Sequence, residues 1–226
     1  MLENRAANAR HTVTTTVFDP QRASEADWAN FLAYWRLRTE EDFPGDPVAP
    51  DADTRHNVQQ SNPLYEFHRV LAVGVSGEFI GSLSASFRRN GTPGHEAFAP
   101  FLEAWGGVLR PHRRQGVASA LLRALLELME ARGKSVATIK THLPEGHAFM
   151  QAVGAPHRHR SVENRMYFAD LDWHELARWR ADGFGPGHGL RAEMHAGRVP
   201  LERLATLVAP LSALLNVAPT TLLGRP

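Results

Sequence analysis

A basic turn at the start of a long amphipathic helix constrains this chain more than any other sequence feature. The segment 108–122 reads VLRPHRRQGVASALL, and its apolar residues after the turn recur at helical spacing. Gly116 lies where the turn becomes the helix. Free backbone N–H groups at a helix start, with the helix dipole behind them, bind phosphate oxygens. The segment therefore predicts a phosphate or pyrophosphate site, with arginines adding positive charge around it.

The pattern on either side of this helix predicts a mixed α/β domain over residues 12–172, after a loose N-terminus, 1–11. The β-branched and apolar runs that predict strands are 12–18, 68–75, 78–87, 97–109, 135–140 and 165–171. Helices are predicted after the N-cap Ser24, from Gly116 to Gly133, and over 144–153. The proline-rich stretch 40–63 predicts a long loop or a broken helix.

Helical spacing also predicts which side chains are buried. In the first helix the expected core residues are Trp28, Phe31, Leu32 and Trp35. In the helix after the basic turn they are Val117, Ala120, Leu121, Ala124, Leu125 and Leu128.

Composition excludes several classes of protein. The 226 residues are 43% hydrophobic and 22% charged, as in a globular protein with a proper core. The net charge of +1 gives no reason to expect nucleic acid or an anionic membrane as a partner. No stretch reaches the roughly 18 apolar residues of a membrane span. The absence of cysteine excludes disulfides, a thiolate metal site and a cysteine nucleophile, and fits a cytoplasmic protein.

The turn and helix also resemble the acetyl-CoA signature of the GNAT superfamily of N-acetyltransferases. That signature is Arg or Gln, two residues, Gly, one residue, and Gly or Ala; here it is Arg113, Gly116 and Ala118. A second match begins at Arg180, but Pro186 follows it too closely for a helix to grow. The first match has a strand before it and an amphipathic helix after it, as the family requires.

The resemblance covers about residues 12–172 and implies a GNAT-like fold, a central mixed sheet flanked by helices. It implies that the strand before the signature splays from its neighbour and binds the pantetheine arm through its backbone. The implied contacts of acetyl-CoA are Val108, Leu109, Arg110, Arg113, Arg114, Gln115, Gly116, Val117, Ala118 and Ser119. No metal is expected. Where the family often has a tyrosine as general acid, this chain has Met150.

Attack on a thioester needs a neutral amine, so a nearby side chain must take a proton from the protonated form. Glu103 is the first candidate for this base, since it shares a strand face with Trp105; the alternative is an ordinary exposed or salt-bridged glutamate. His142 and His147 are the other candidates. The acidic run 40–42 predicts a solvated helix end, or else a site that attracts the amine. The histidines and arginines of 157–160 predict a solvated loop rather than a metal site.

The segment 173–226 is predicted to be an extension of the main domain. It contains a glycine-rich linker, 183–189, a short strand, 190–194, and a helix over 199–208. It resembles the opening of a second GNAT repeat, as in tandem GNAT proteins, and it stops before a second signature. About fifty residues seldom fold alone, so this segment should pack on the main domain or on another subunit. It would be either a truncated repeat, or a lid or homodimer element.

These observations predict an enzyme that moves an acetyl group from acetyl-CoA directly to a primary amine of a small molecule or peptide. The alternative from another class is a non-catalytic acyl-CoA-binding or regulatory module, which Met150 favours. A phosphate-binding module for another nucleotide is a second alternative. The sequence leaves the acceptor and the acyl-chain preference open.

Overall fold

The computed structural model describes residues 13–160, 167–182 and 199–217. Its strands are β1 (Thr14–Val17), β2 (Tyr65–Val73), β3 (Phe79–Arg88), β4 (Phe101–Val108) and β5 (Val136–Ile139). Its helices are α1 (Glu25–Asp42), α2 (Asp51–Gln59), α3 (His95–Phe98), α4 (Val117–Ala131), α5 (Pro144–Ala152), α6 (Trp173–Asp182) and α7 (Leu201–Val217).

The five strands form one mixed sheet in the order β1-β2-β3-β4-β5. The first four strands are antiparallel, and β4 and β5 run parallel because α4 carries the chain back between them. The predicted α/β class and mixed sheet are therefore confirmed.

The helices begin and end where local side chains satisfy their free backbone groups. Ser24 accepts a hydrogen bond from the Asp27 N–H, and the Asp27 side chain accepts one from the Ser24 N–H, which closes a capping box at the start of α1. Gly133 follows α4 with a φ of 60°, as predicted for a glycine after a helix. The stretch 40–63 is a broken helix rather than a loop, since α1 ends at Asp42 and α2 begins at Asp51.

The core lies on both faces of the sheet. On one face α1 packs over a cluster that consists of Phe18, Trp28, Phe31, Leu32, Tyr34, Leu71, Phe79 and Leu109. On the other face α4 buries Val117, Leu121 and Leu125 against the sheet, as its periodicity predicts. One core prediction is wrong: Trp35 is 37% exposed, and Tyr34 is buried at 1% exposure. The Tyr34 side chain can be buried because its hydroxyl makes hydrogen bonds within the core.

The contacts divide the chain into two units, one up to Gly154 and one from Ala155 onwards. In the second unit the prediction of a strand over 165–171 is wrong for the described residues, 167–171, because Phe168–Asp170 forms a 3-10 turn. Apolar composition makes a strand only where a partner strand is available. A helix is predicted over 199–208, and the observed helix is longer, since α7 runs from Leu201 to Val217.

Parts of several predictions fall on 1–12, 161–166, 183–198 and 218–226, outside the described residues: the loose N-terminus, the glycine-rich linker and the strand 190–194. The domain boundary near residue 172 stays a prediction. Among the described helices, none is long and apolar enough to cross a membrane.

Candidate functional site

The pairing between β4 and β5 stops before the end of β4, which leaves a gap in the pairing at that end of β4. The pairing of β4 with β5 stops at Ala104 opposite Ile139, whereas its pairing with β3 continues to Val108 opposite Gly81. The half of β4 from Trp105 to Val108 therefore has no β5 partner. An unpaired strand edge offers backbone N–H and C=O groups to an extended ligand.

The turn that follows β4 has a backbone shaped for an anion. Gly116 is the N-cap of α4 with a φ of 85°, and Arg114 has a φ of 62°. Arg114 is the one residue other than glycine with a positive φ in the described part of the chain. Left-handed residues within a turn direct successive N–H groups to one side, which makes an anion-binding concavity. A side-chain carbon at Gly116 would meet nothing within 4 Å, so the space over the helix start is open.

Arg113, the signature arginine, holds this turn in place rather than reaching over it. Its Nε donates to the Val108 carbonyl at 3.0 Å, and its two terminal nitrogens reach Glu41 at 3.1 Å and Glu145 at 3.3 Å. Its side chain is only 17% exposed. The cations that remain at the surface of the turn are Arg110 and Arg114, which are both exposed.

The acidic end of α1 is packed against the end of β4, so the prediction of a solvated helix end is wrong for Glu41 and Asp42. The Glu41 carboxylate accepts the backbone N–H of Arg110 at 2.8 Å and 3.0 Å and pairs with Arg113. Asp42 Oδ1 lies 2.8 Å from Arg38 Nη1. Neither of these two atoms makes a hydrogen bond, so this pair is held by charge alone.

Burial raises the pKa of the Asp42 carboxyl, and the neighbouring cations, Arg38 first, oppose this rise. The Arg38 guanidinium lies directly over Gly107, where a side chain on the strand would collide with it. Glycine at this position therefore lets α1 approach the unpaired half of β4. Sequence reasoning missed these contacts because Arg38 and Gly107 are distant in the chain.

Tyr34 is a second residue that sequence reasoning missed. Its hydroxyl donates to the Gly107 carbonyl at 3.0 Å and lies 2.9 Å from the Ser82 hydroxyl. A phenol has one proton to donate, so the Ser82 hydroxyl is the donor in the second contact. Burial raises the pKa of Tyr34 to about 12, which keeps the hydroxyl protonated as a donor. The periodicity of α1 gave a weak signal for this residue, which lies three positions after Phe31.

The three predicted base candidates lie in different places. Glu103 is on β4 before the gap, with its side chain 58% exposed and its carboxylate 3.6 Å from Lys140. His142 is exposed beyond β5; its ring stacks on Phe43 and its Nε2 lies 3.2 Å from the Asp42 carbonyl oxygen. His147 is on α5 and is exposed. The structure thus joins His142 to the end of α1 and leaves Glu103 beside the paired half of β4.

The segment 157–160 is exposed, as predicted for a solvated loop. Within the described residues no group of three or more His, Asp or Glu side chains could hold a metal ion.

The family model of the acetyltransferase (GNAT) family matches residues 31–154, which is more than half of the 226 residues. The chain belongs to this family. No curated protein matches the chain.

Several solved structures are similar to this chain at low sequence identity. A ribosomal-protein-alanine N-acetyltransferase from Brucella melitensis biovar Abortus 2308 is 17% identical over 68% of this chain and 99% of its own, with a TM-score of 0.50. A tandem GNAT protein from the clavulanic acid biosynthesis pathway is 18% identical over 63% of this chain and 43% of its own, with a TM-score of 0.50. An aminoglycoside antibiotic 6'-N-acetyltransferase from Acinetobacter baumannii is 22% identical, with 69% and 99% covered and a TM-score of 0.46.

Proposed function

We propose that this chain is an N-acetyltransferase that moves an acetyl group from acetyl-CoA directly to a primary amine. The observation that carries the proposal is the unpaired half of β4 beside the open start of α4. Acetyl-CoA joins an extended thiol arm to a pyrophosphate in one molecule. The unpaired half of β4 and the start of α4 lie next to each other along the chain, so the two parts of one donor can occupy them together.

The start of α4 fits the pyrophosphate. The N–H groups of Val117, Ala118 and Ser119 belong to the first turn of the helix and have no partner within it. The helix dipole places partial positive charge at the same point. The exposed guanidinium groups of Arg110 and Arg114 add full charges nearby, while Arg113 fixes the turn.

The unpaired edge of β4 fits the pantetheine arm, which carries amide groups at the spacing of a short extended chain. Backbone groups from Trp105 to Val108 would pair with these amides as a strand partner does. Tyr34 and Arg38 hold Gly107 from the other side. The edge is therefore stiff, so binding the donor requires little ordering of the chain.

Acetyl-CoA supplies an activated acetyl group and a thiol that leaves as the new amide bond forms. The residues of the chain have two tasks: to hold the amine beside the donor and to remove its proton. Glu103, His142 and His147 remain the candidates for that base. His142 contacts the end of α1, and the same end of α1 contacts Arg110 and Arg113 through Glu41. This position favours His142 as the base more than the sequence did.

Calorimetric titration with acetyl-CoA tests the donor site. We expect micromolar binding to the wild type and none to Gly116→Glu, since a carboxylate would fill the anion site. The matched control is Gly133→Glu at the other end of α4, where φ is also positive (60°) and the added side chain meets nothing. It imposes the same kind of backbone strain and leaves binding unchanged. Equal affinities of the wild type and Gly116→Glu would refute the site.

Turnover with a panel of amines, without added partner proteins, then separates an enzyme from a non-catalytic acyl-CoA-binding module. Removal of the base should lower kcat about 10²- to 10⁴-fold and flatten the pH profile. The variants are Glu103→Gln, His142→Gln and His147→Gln, with Glu127→Gln at an exposed position of α4 as control. Donor binding with no turnover of any amine would favour the non-catalytic module.

A further inference from the structure

The middle strand of the sheet carries a row of buried serines on the face that α1 covers. Ser82, Ser84 and Ser86 are each less than 10% exposed, while the alternate residues of β3 pack against the α4 side. The Ser82 hydroxyl is bonded to Tyr34. The hydroxyls of Ser84 and Ser86 make no hydrogen bond within the described structure.

An arginine stands beside these two serines. Arg69 of β2 is directly opposite Ser84, and Ser84 is directly opposite Trp105 of β4, so the three residues form one row on the same face. Arg69 is partly buried and makes no ion pair or side-chain hydrogen bond with any described residue. Burial lowers the pKa of its guanidinium, and no carboxylate among the described residues opposes this shift. The residue is of intermediate exposure, so part of it remains accessible to a ligand.

Two aromatic rings border the same place. Phe67 is opposite Ser86 in the neighbouring row, and its ring meets that of Trp105 edge-on with centroids 6.4 Å apart. Phe67 is 42% exposed. Among the described residues, this place thus combines a cation without a partner, two hydroxyls without a hydrogen bond and an exposed aromatic surface. A partly desolvated cation without a partner is costly in a folded protein, and an anion that binds there removes that cost.

The row leads to the donor site. Trp105 is the first residue of the unpaired half of β4, and Arg69 lies two strand spacings away, about 10 Å. Glu103, in the neighbouring row, puts a carboxylate on the opposite side of the serines from Arg69. The two charges of opposite sign complement a ligand that carries both charges, and they do not complement a polycation.

We propose that the face formed by Phe67, Arg69, Ser84, Ser86 and Trp105 binds the acceptor, and that the acceptor carries a carboxylate next to an apolar group, as an amino acid does. The carboxylate lies on Arg69 and the two hydroxyls, and the apolar group lies on Phe67. The amine then points along the row towards the unpaired edge of β4. This inference rests on the proposed function, because the ligand is an acceptor only if the chain transfers an acetyl group. The anion-binding site itself is argued from its own geometry.

Binding of a product-like probe tests the site without turnover. The probes are N-acetyl-L-phenylalanine and its neutral primary amide, titrated against the wild type and observed through the ligand NMR signals. We expect the carboxylate to bind at least about tenfold more tightly than the amide, a difference of about 1.4 kcal/mol. In Arg69→Gln the two probes should bind equally. The control Arg22→Gln removes an 88% exposed arginine and keeps the wild-type preference.

A second variant, Ser84→Val, keeps Arg69 and fills the space over the serine, so the carboxylate should again lose about tenfold. Equal binding of the two probes to the wild type, or an unchanged preference in both variants, would overturn the inference. Acetyl-CoA is titrated against the same samples. Donor binding without a carboxylate preference removes the inference and leaves the proposed function. A carboxylate preference without donor binding removes the proposed function and leaves the anion site.

Discussion

Replacing Tyr34 by phenylalanine should destabilise the unit that contains the sheet by about 2 kcal/mol. The substitution keeps the buried ring and removes a hydroxyl that joins α1 to β3 and β4. Two hydrogen bonds are lost, and each contributes about 0.5–1.5 kcal/mol. The Ser82 hydroxyl loses a partner in a buried position, whereas the Gly107 carbonyl is only partly buried, which puts the total near the middle of that sum, about 2 kcal/mol.

Urea unfolding followed by circular dichroism measures this loss, and thermal unfolding should show a Tm lower by about 4–8 °C. The matched control is Tyr65→Phe, because the Tyr65 hydroxyl receives only a contact of 3.5 Å from Arg88 and its loss should be nearly neutral. Ser82→Ala and the double variant complete a cycle whose coupling energy isolates the contact between the two hydroxyls.

A loss below about 0.5 kcal/mol for Tyr34→Phe, equal to that of the control, would refute this reasoning. It would mean that the hydroxyl is as well satisfied by water in the unfolded chain as by Gly107 and Ser82 in the fold. A full loss with zero coupling to Ser82→Ala would assign the effect to the Gly107 carbonyl alone.

Three further outcomes are expected. Tyr34 has a pKa of about 12 in the fold and near 10 when unfolded, so its contribution is complete below pH 10 and falls between pH 10 and 12. A shift of two pKa units corresponds to about 2.7 kcal/mol, so the difference of about 2 kcal/mol in unfolding free energy between wild type and Tyr34→Phe should fall to zero or below in urea titrations across that range. A constant difference would contradict the shift. Ser24→Ala should cost about 1 kcal/mol in the same assay, because the Asp27 N–H loses its cap; no change would mean that water replaces it. Leu125→Ala should cost about 2–5 kcal/mol, while the adjacent Leu126→Ala, at a position that is 55% exposed, should cost less than 1; equal losses would contradict the assignment of the buried face.

The sequence alone determined those features that depend on neighbours along the chain. The capping box at Ser24, the buried face of α4 and the glycine after it follow from local hydrogen bonding and from the period of the helix. The turn before α4 is also a feature that the local sequence determines, because its left-handed residues and free N–H groups lie within a few positions of one another. The family resemblance rested on this turn, and the family match agrees with it.

Only the tertiary structure decided features that join distant residues. No local pattern could show that Arg113 is bound by Glu41 and Val108, or that Tyr34 rather than Trp35 is buried. The acidic end of α1 was misjudged for the same reason, since its partners come from β4 and the following turn. Strand 165–171 was wrong because its residues lack a partner strand where they are described.

The proposed acceptor face shows the same division. The alternation of serines in β3 is visible in the sequence, and it predicts only a polar side of a strand. The register of β2, β3 and β4 places Arg69, Ser84 and Trp105 in one row, and packing in the folded unit makes the serines buried rather than solvated. Strand register is set by pairing across the whole sheet, so a cation and two hydroxyls become a site only when the sheet has formed.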